Sequence, residues 1–248
     1  MKEVIFIDLH LFLTAGSTQA LRHAKVLLQA QGLTFTQIPC PAVTHLILPV
    51  PSFEPNGTIK GGGDLDALLK ALPKNITIIG GNLDIPLLTD YKKIDLLRDP
   101  IYLAMNASIT AHCAIILAAT NLECTLADIP VLVIGWGRIG KCLTRLLTGL
   151  GTQVTVAARK ETDRAALASI GVHAIDTAHI ASENYGVIFN TAPEMVLSHC
   201  AGNALKIDLA SKPGIAGTDV IWARGLPNQN APLSSGNLIA KSIIRKVE

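Results

Sequence analysis

An apolar run, Val131-Leu132-Val133-Ile134, leads directly into Gly135-Trp136-Gly137-Arg138-Ile139-Gly140, a G-x-G-x-x-G arrangement that opens a helical segment. An unbroken apolar run suits a strand buried on both faces of a parallel sheet. Gly135 allows the tight turn, Gly137 lets backbone approach a pyrophosphate, and Gly140 lets the helix pack closely on the strand. The first N–H groups of that helix then face the anion. A plain glycine-rich turn is the bland alternative. Against it, a helix over Ile139–Leu150 and a second strand over Gln153–Ala158 follow at the spacing of a βαβ unit.

The rest of the chain extends that unit. A helix is expected over Asp163–Ile170, a short strand near Val172–Ala174, and strands at Val187–Asn190 and Ala204–Leu209. Five strands alternating with helices fit a Rossmann sheet. Ahead of it, strands are expected at Val4–Ile7, His45–Val50 and Ile76–Ile79, with helices over Thr18–Gln31 and, capped by Asp64, Leu65–Leu72. Between the halves, Ala104–Asn121 reads as one long, Ala-rich helix, and Gly236–Lys246 as an amphipathic terminal helix. The expected fold class is α/β. It has two α/β domains, the second a doubly wound parallel Rossmann sheet, a long linking helix, and a C-terminal helix crossing back. The boundaries fall at 1–104, joined by 236–248, and at 105–235.

The end of the second strand selects the cofactor. Readers of NAD place an acid there for the ribose 2′-OH. This chain has Ala157-Ala158-Arg159-Lys160, with no acid before Glu161. A guanidinium can grip a 2′-phosphate with two parallel hydrogen bonds, whereas a carboxylate repels it. The expectation is NADP, against the plainer view of two solvated charges.

Composition narrows the class of partner. Hydrophobic residues make up 49% of the 248 and charged residues 16%, which excludes a disordered chain. The 21 Lys+Arg against 19 Asp+Glu leave a net charge of +2 without a basic cluster, so no nucleic acid is expected. Mean hydropathy is +0.41, but the longest apolar stretch, Ile109–Ala119, contains Thr110 and His112 and falls short of a span. Asp8 and His10 interrupt the apolar N-terminal run. No signal peptide and no membrane association are therefore expected. Five scattered cysteines without ligand spacing imply neither disulfides nor metal, and a cytoplasmic, reduced protein.

Polar residues collect where open α/β sheets bind ligands, at the ends of strands. They are Asn190-Thr191-Ala192-Pro193, then Asp208 to Gly214, and Asn106, Ser108, Thr110 and His112 on the long helix. Asn190, Thr191, Ala192 and Pro193 are cofactor-contact candidates, together with Gly135, Trp136, Gly137, Arg138, Ile139 and Gly140 of the glycine loop and Ala158, Arg159 and Lys160 at the second strand's end. Asp208 reads as a turn acceptor for the Ser211 backbone, and Trp136 as packing.

The run GWGRIGKCLTRLLTGLGTQVTVAARK, followed by IFNTAP, IDLASKPG and APLSSG, resembles the family of dipicolinate synthase A chains over residues 45–245. The match is specific over the last half. The chain departs from that pattern at Phe12–Gly16, where the family has a glycine/Asp/Arg cluster. It departs again at Thr110-Ala111-His112-Cys113-Ala114, at Pro213-Gly214-Ile215 and at Leu226-Pro227-Asn228.

The resemblance implies an NADP-dependent oxidoreductase that works with a second, flavoprotein subunit to form pyridine-2,6-dicarboxylate during sporulation. The substrate would be a small dicarboxylate of the dihydrodipicolinate type; a homo-oligomer is left open. Such chemistry needs a base and groups that hold carboxylates. His112 is the candidate base, since its ordinary pKa lies near ~6.5. Ser211 and Lys212 are candidates for catalysis and, with Thr110, for substrate binding. Thr110, His112, Ser211 and Lys212 are expected to converge. Two rivals stand beside this reading. One is a 2-hydroxyacid dehydrogenase, disfavoured because no Glu–His pair follows Asp208. The other is a non-catalytic, NADP-binding protein with a regulatory or assembly role.

Overall fold

The computed structural model describes residues 10–199 and 202–247. The chain divides into two compact units, one of Met1–Met105 with Pro232–Glu248, the other of Asn106–Ala231.

The first unit is a parallel sheet in the order β2-β1-β3-β4-β5. Its strands are β1 (Leu11–Thr14), β2 (Thr34–Phe35), β3 (His45–Ile47), β4 (Thr77–Gly80) and β5 (Lys92–Asp95). Every residue of β3 and β4 is buried, as strands covered on both faces require. Helix α1 (Gln19–Ala30) begins where the Thr18 side chain accepts from the Leu21 N–H. Helix α2 (Leu65–Lys70) begins at Asp64, whose carboxylate accepts from Asp66 and Ala67. The strand expected at Val4–Ile7 lies outside the described residues. β1, β2 and β5 were not anticipated: β2 has two residues, and β5 is an edge strand with Lys92 and Lys93 exposed. Lysines on an edge discourage further pairing, at the expense of a recognisable apolar pattern.

Helix α3 (Pro100–Ala119) starts four residues earlier than the composition suggests. Asp99 accepts from the Ile101 N–H at 3.0 Å, and Pro100 occupies the first turn, where its missing donor costs nothing. The helix has 20 residues, and its best 18-residue window has a mean hydropathy of 1.6. Thr110 and His112 do not shorten it, so by length and composition it could cross a membrane. Its residues Ala111, Cys113, Ala114 and Ala118 belong to a core cluster of the second unit.

That second unit is a parallel sheet in the order β11-β10-β9-β6-β7-β8. β6 (Val131–Ile134) and β9 (Val187–Asn190) fall where the sequence pattern puts them. β7 (Val154–Ala157), β8 (His173–Ile175) and β10 (Leu205–Asp208) fall within a residue or two of it. A sixth strand, β11 (Val220–Trp222), adds an edge beyond the five expected. Read from β8, the sheet has the Rossmann order, three strands either side of the β6/β9 switch point. Successive residues of β6 point to opposite faces: Val131 and Val133 enter one core, Leu132 and Ile134 the other. Each fully buried side chain of this size contributes about 1.5–3 kcal/mol. Helices α4 (Arg138–Gly149), α5 (Glu161–Ser169) and the short α6 (Leu226–Asn230) complete the unit.

Helix α7 (Pro232–Val247) belongs to the first unit and packs on α1. Asn237 Oδ1 lies 3.3 Å from His23 Nε2, and Arg245 pairs with the buried carboxylate of Asp99. The four cysteines among the described residues, Cys40, Cys113, Cys124 and Cys142, are free thiols. Among those residues no cluster of three or more metal-ligating side chains occurs.

Candidate dinucleotide-binding site

The three motif glycines have different physical reasons to be glycine. Gly135 has φ +98°, and a Cβ there would lie 2.6 Å from the Thr191 hydroxyl. A Cβ on Gly140 would lie 2.0 Å from the Gly135 carbonyl oxygen. The fold itself forbids side chains at both positions. At Gly137 the fold makes no such demand: φ is −82°, and nothing lies within 4 Å of an added Cβ. The absent side chain leaves open space at the start of α4. No side chain caps that helix, so its leading N–H groups stay available to an anion. These features fit a dinucleotide pyrophosphate.

Two cavities in this unit meet at Gly137. The first, of about 460 Å³, is lined by Gly135, Trp136, Ala158, Arg159, Lys160, Ala192 and Glu194, among others. The second, of about 440 Å³, is lined by Arg138, Ile139, Thr191, Pro193, Leu209, Ala210, Ser211 and Arg224, again with Gly137. Arg138 and Arg224 give the second cavity two cations and no acid. Trp136 is half-buried against the core, with the Lys141 ammonium 5.6 Å from its ring centroid.

The first cavity is built on the β7–α5 turn. Arg164 clamps that turn, donating to the Ala158 carbonyl at 2.7 Å, the Arg159 carbonyl at 2.8 Å and the Asp176 carboxylate at 2.7 Å. The Ala178 N–H, aided by the charges of Arg164 and His179, holds the Asp176 carboxyl below its ordinary range. Arg159 itself projects outward and pairs with Glu194, its Nη1 lying 3.0 and 3.3 Å from the two carboxylate oxygens. Glu194 immediately follows Pro193, the last residue of the loop that the sequence pattern marks out.

The polar loops beyond β9 and β10 hold one another. Asn190 is fully buried; its Nδ2 donates to Asp208 Oδ1 at 2.9 Å and to the Ala192 carbonyl at 3.0 Å, and its Oδ1 accepts from the Ala192 N–H. Its side chain is therefore spent on the protein rather than turned to a ligand, and Asn190 lines neither cavity. Thr191 donates its hydroxyl to the Ile134 carbonyl at 2.8 Å and so braces the glycine turn. Asp208 accepts from the N–H groups of Ala210, Gly214 and Ile215. It is a turn acceptor, but for these three rather than for Ser211.

The expected convergence of Thr110, His112, Ser211 and Lys212 does not occur as stated. Thr110 is buried and donates to the Asn106 carbonyl of its own helix, while His112 is exposed. Residues two apart on a helix lie about 200° around its axis, so the pair cannot share a face. Of the four, only Ser211 lines the second cavity. Lys212 is exposed and lines neither; the cation there on the β11 side is Arg224. Its Nη1 donates to the Ala210 carbonyl at 3.2 Å, and its guanidinium sits 5.7 Å from the Trp222 ring centroid. Arg224 was missed because β11, three residues at an edge, gave no periodic signal.

No protein-family model matches the chain. Among curated proteins, the A chain of dipicolinate synthase of Bacillus subtilis (strain 168) is 31% identical over 160 residues, which span 58% of this chain and 53% of that protein. The match thus takes in about half the length of that relative. The corresponding dipicolinate synthase chain from Bacillus halodurans has a TM-score of 0.81 at 20% identity, covering 96% of this chain and 98% of that one. The structure of the A chain from Bacillus subtilis gives 0.80 at 21%, covering 99% and 98%. A D-isomer specific 2-hydroxyacid dehydrogenase from Xanthobacter autotrophicus Py2 shares the fold more distantly, with a TM-score of 0.55 at 15% identity, covering 96% and 95%. In sequence over its matched part, and in fold over nearly its whole length, the chain is similar to the A chain of dipicolinate synthase.

Proposed function

We propose that the protein is an NADP-dependent oxidoreductase that forms pyridine-2,6-dicarboxylate from a dihydrodipicolinate-type precursor. One observation carries the reading: the open space at Gly137 stands between two cavities, and Arg159 lines the first. An extended dinucleotide has two halves joined by a pyrophosphate, and this arrangement offers a place for each. Gly137 and the leading N–H groups of α4 would hold the pyrophosphate. Arg159 and Lys160 would hold the 2′-phosphate, and Thr191, Pro193 and Ile139 would border the nicotinamide half.

When bound, NADP+ supplies an acceptor for the hydride that leaves the dihydropyridine ring. The chain's part is positioning, because aromatisation itself drives the loss of a hydride and a proton. Arg224 and the Ser211 hydroxyl would orient a substrate carboxylate in the second cavity. Among the described residues, no side chain lining that cavity is an imidazole or a carboxylate. The similar Bacillus subtilis protein is named as one subunit of its synthase, which supports a partner here; we take that partner to be a flavoprotein. The setting carried by the same similarity is a cytoplasmic one, in sporulation.

A second reading is a cofactor-binding protein without catalysis of its own. It is favoured by one observation: His112, the candidate base, lines neither cavity. One experiment separates the two. The protein is mixed with NADP+ and freshly made dihydrodipicolinate, alone and with the flavoprotein partner, and reduced nicotinamide is followed by absorbance. Formation of NADPH and pyridine-2,6-dicarboxylate by the protein alone supports the oxidoreductase. Tight NADP+ binding without turnover in either mixture supports the second reading.

A further inference from the structure

We infer that Glu194 acts as an internal stand-in for the 2′-phosphate, occupying Arg159 until the cofactor displaces it, and so sets how strongly the protein prefers NADP. This rests on the reading that the first cavity takes the adenosine half of a dinucleotide.

The topology carries the argument. Arg159 follows β7, and Glu194 lies in the loop after β9. β6 runs between those two strands in the sheet. Strands two places apart are about 10 Å from each other. An ion pair joining their loops therefore passes across the end of β6, where the Gly135–Gly137 turn sits. Both partners line the first cavity. The contact is a strap over the groove that the dinucleotide would enter.

The chemistry of the pair fits displacement rather than permanence. Both side chains are mostly exposed, at 70% for Arg159 and 57% for Glu194. Exposed pairs of this kind hold weakly. A 2′-phosphate carries nearly twice the charge of a carboxylate and presents more acceptor oxygens. It can take the guanidinium from Glu194, but only by breaking that pair, so its binding is weakened by the strength of the pair. A nucleotide with a bare 2′-OH gains little from Arg159 and is affected less. Glu194 should thus lower affinity for 2′-phosphorylated nucleotides selectively, and only through Arg159.

The test is a calorimetric titration of the full chain with 2′,5′-ADP and with 5′-AMP, for wild type, Glu194→Gln, Arg159→Ala and the double variant. Glu194→Gln should tighten 2′,5′-ADP binding about two- to fivefold and leave 5′-AMP binding nearly unchanged. In the Arg159→Ala background the same substitution should gain nothing. Unchanged or weakened 2′,5′-ADP binding in Glu194→Gln overturns the inference, as does an equal gain for both nucleotides or a gain that persists without Arg159. If neither nucleotide binds wild type, the dinucleotide reading fails and this inference with it.

Discussion

The side-chain amide of Asn190 donates to the carboxylate of Asp208 across 2.9 Å, in a pair with 0% and 1% of its surface exposed. β9 and β10 are thus joined beyond their ladder, at the strand ends where the two ligand-facing loops leave the sheet. Four donors converge on Asp208: Asn190 and the N–H groups of Ala210, Gly214 and Ile215. In Asp208→Asn, whichever oxygen becomes NH2 points its hydrogens at donors. Losing charge-assisted bonds and leaving buried donors unmatched should cost about 2–4 kcal/mol. Urea unfolding of the variant measures this; a loss under about 1 kcal/mol would show that the loops hold without the pair.

Cofactor choice depends on Arg159. NADP+ should bind more tightly than NAD+, and Arg159→Ala should erase the difference while leaving NAD+ affinity nearly unchanged. A charge-assisted contact contributes about 1.5–3 kcal/mol, or about ten- to hundredfold in affinity. Fluorescence titration with the reduced forms checks it. Equal affinities in wild type would refute the assignment.

Gly137 and Gly140 should fail in different ways when replaced. The Cβ of Gly137→Val meets open space, with nothing beyond its chain neighbours within 4 Å, so the variant should fold and melt like wild type yet lose dinucleotide binding. Gly140→Ala puts its Cβ 2.0 Å from the Gly135 carbonyl oxygen, which must shift. That variant should lose about 1–3 kcal/mol of stability, as overpacked sites do. Circular dichroism melts alongside titrations separate the two outcomes. Retained binding in Gly137→Val would remove the pyrophosphate from this turn.

Acid should weaken the first unit through His45, which stacks on Phe12 with ring centroids 4.7 Å apart and is 8% exposed. Burial, then the neighbouring charges of His10 and Lys92, pulls its pKa from 6.5 down to about 4. The folded state therefore binds fewer protons than the unfolded state between those values. Its stability is complete above pH 6.5, declines as pH falls to about 4, and levels off below. The full loss is about 3 kcal/mol. His45→Gln, uncharged throughout, should flatten the slope of melting temperature against pH in that window. An unchanged slope would assign the acid sensitivity elsewhere.

How far the fold was legible depended on burial. β6 and β9, buried on both faces, announced themselves as apolar runs, and G-x-G-x-x-G located the turn between β6 and α4. The edge strand β5 exposes its lysines, and the two-residue β2 and three-residue β11 are too short to show a period. The site divided in the same way. Backbone-defined residues such as Gly135, Gly137 and Gly140 were readable because a turn dictates its residue types. Side-chain roles were not, because they depend on direction: Thr110 and His112 sit two apart on α3 and face away from each other. Glu194 stands one residue past Pro193, with nothing in the sequence to say that it would reach Arg159 across β6.

Arg224 and Lys212 make the sharpest test of the substrate half. Lys212 was the cation expected to hold a carboxylate, but, although exposed like Arg224, it lines neither cavity. Arg224 lines the second cavity with Ser211, and the Ala210 carbonyl, 3.2 Å from its Nη1, limits its freedom. A planar guanidinium held in this way offers its remaining donors as a fork suited to a carboxylate. Arg224→Gln should weaken pyridine-2,6-dicarboxylate binding to the NADP-loaded protein by about ten- to hundredfold. Lys212→Gln should change it less than about twofold, as expected for a solvated charge. Arg224→Lys should restore only part of the loss, because an ammonium cannot make two parallel bonds. Calorimetry with the dicarboxylate, and with pyridine as a control lacking both carboxylates, reads all three variants. If Lys212→Gln proves the damaging substitution and Arg224→Gln the silent one, the carboxylate is held from the loop after β10 and not from the end of β11.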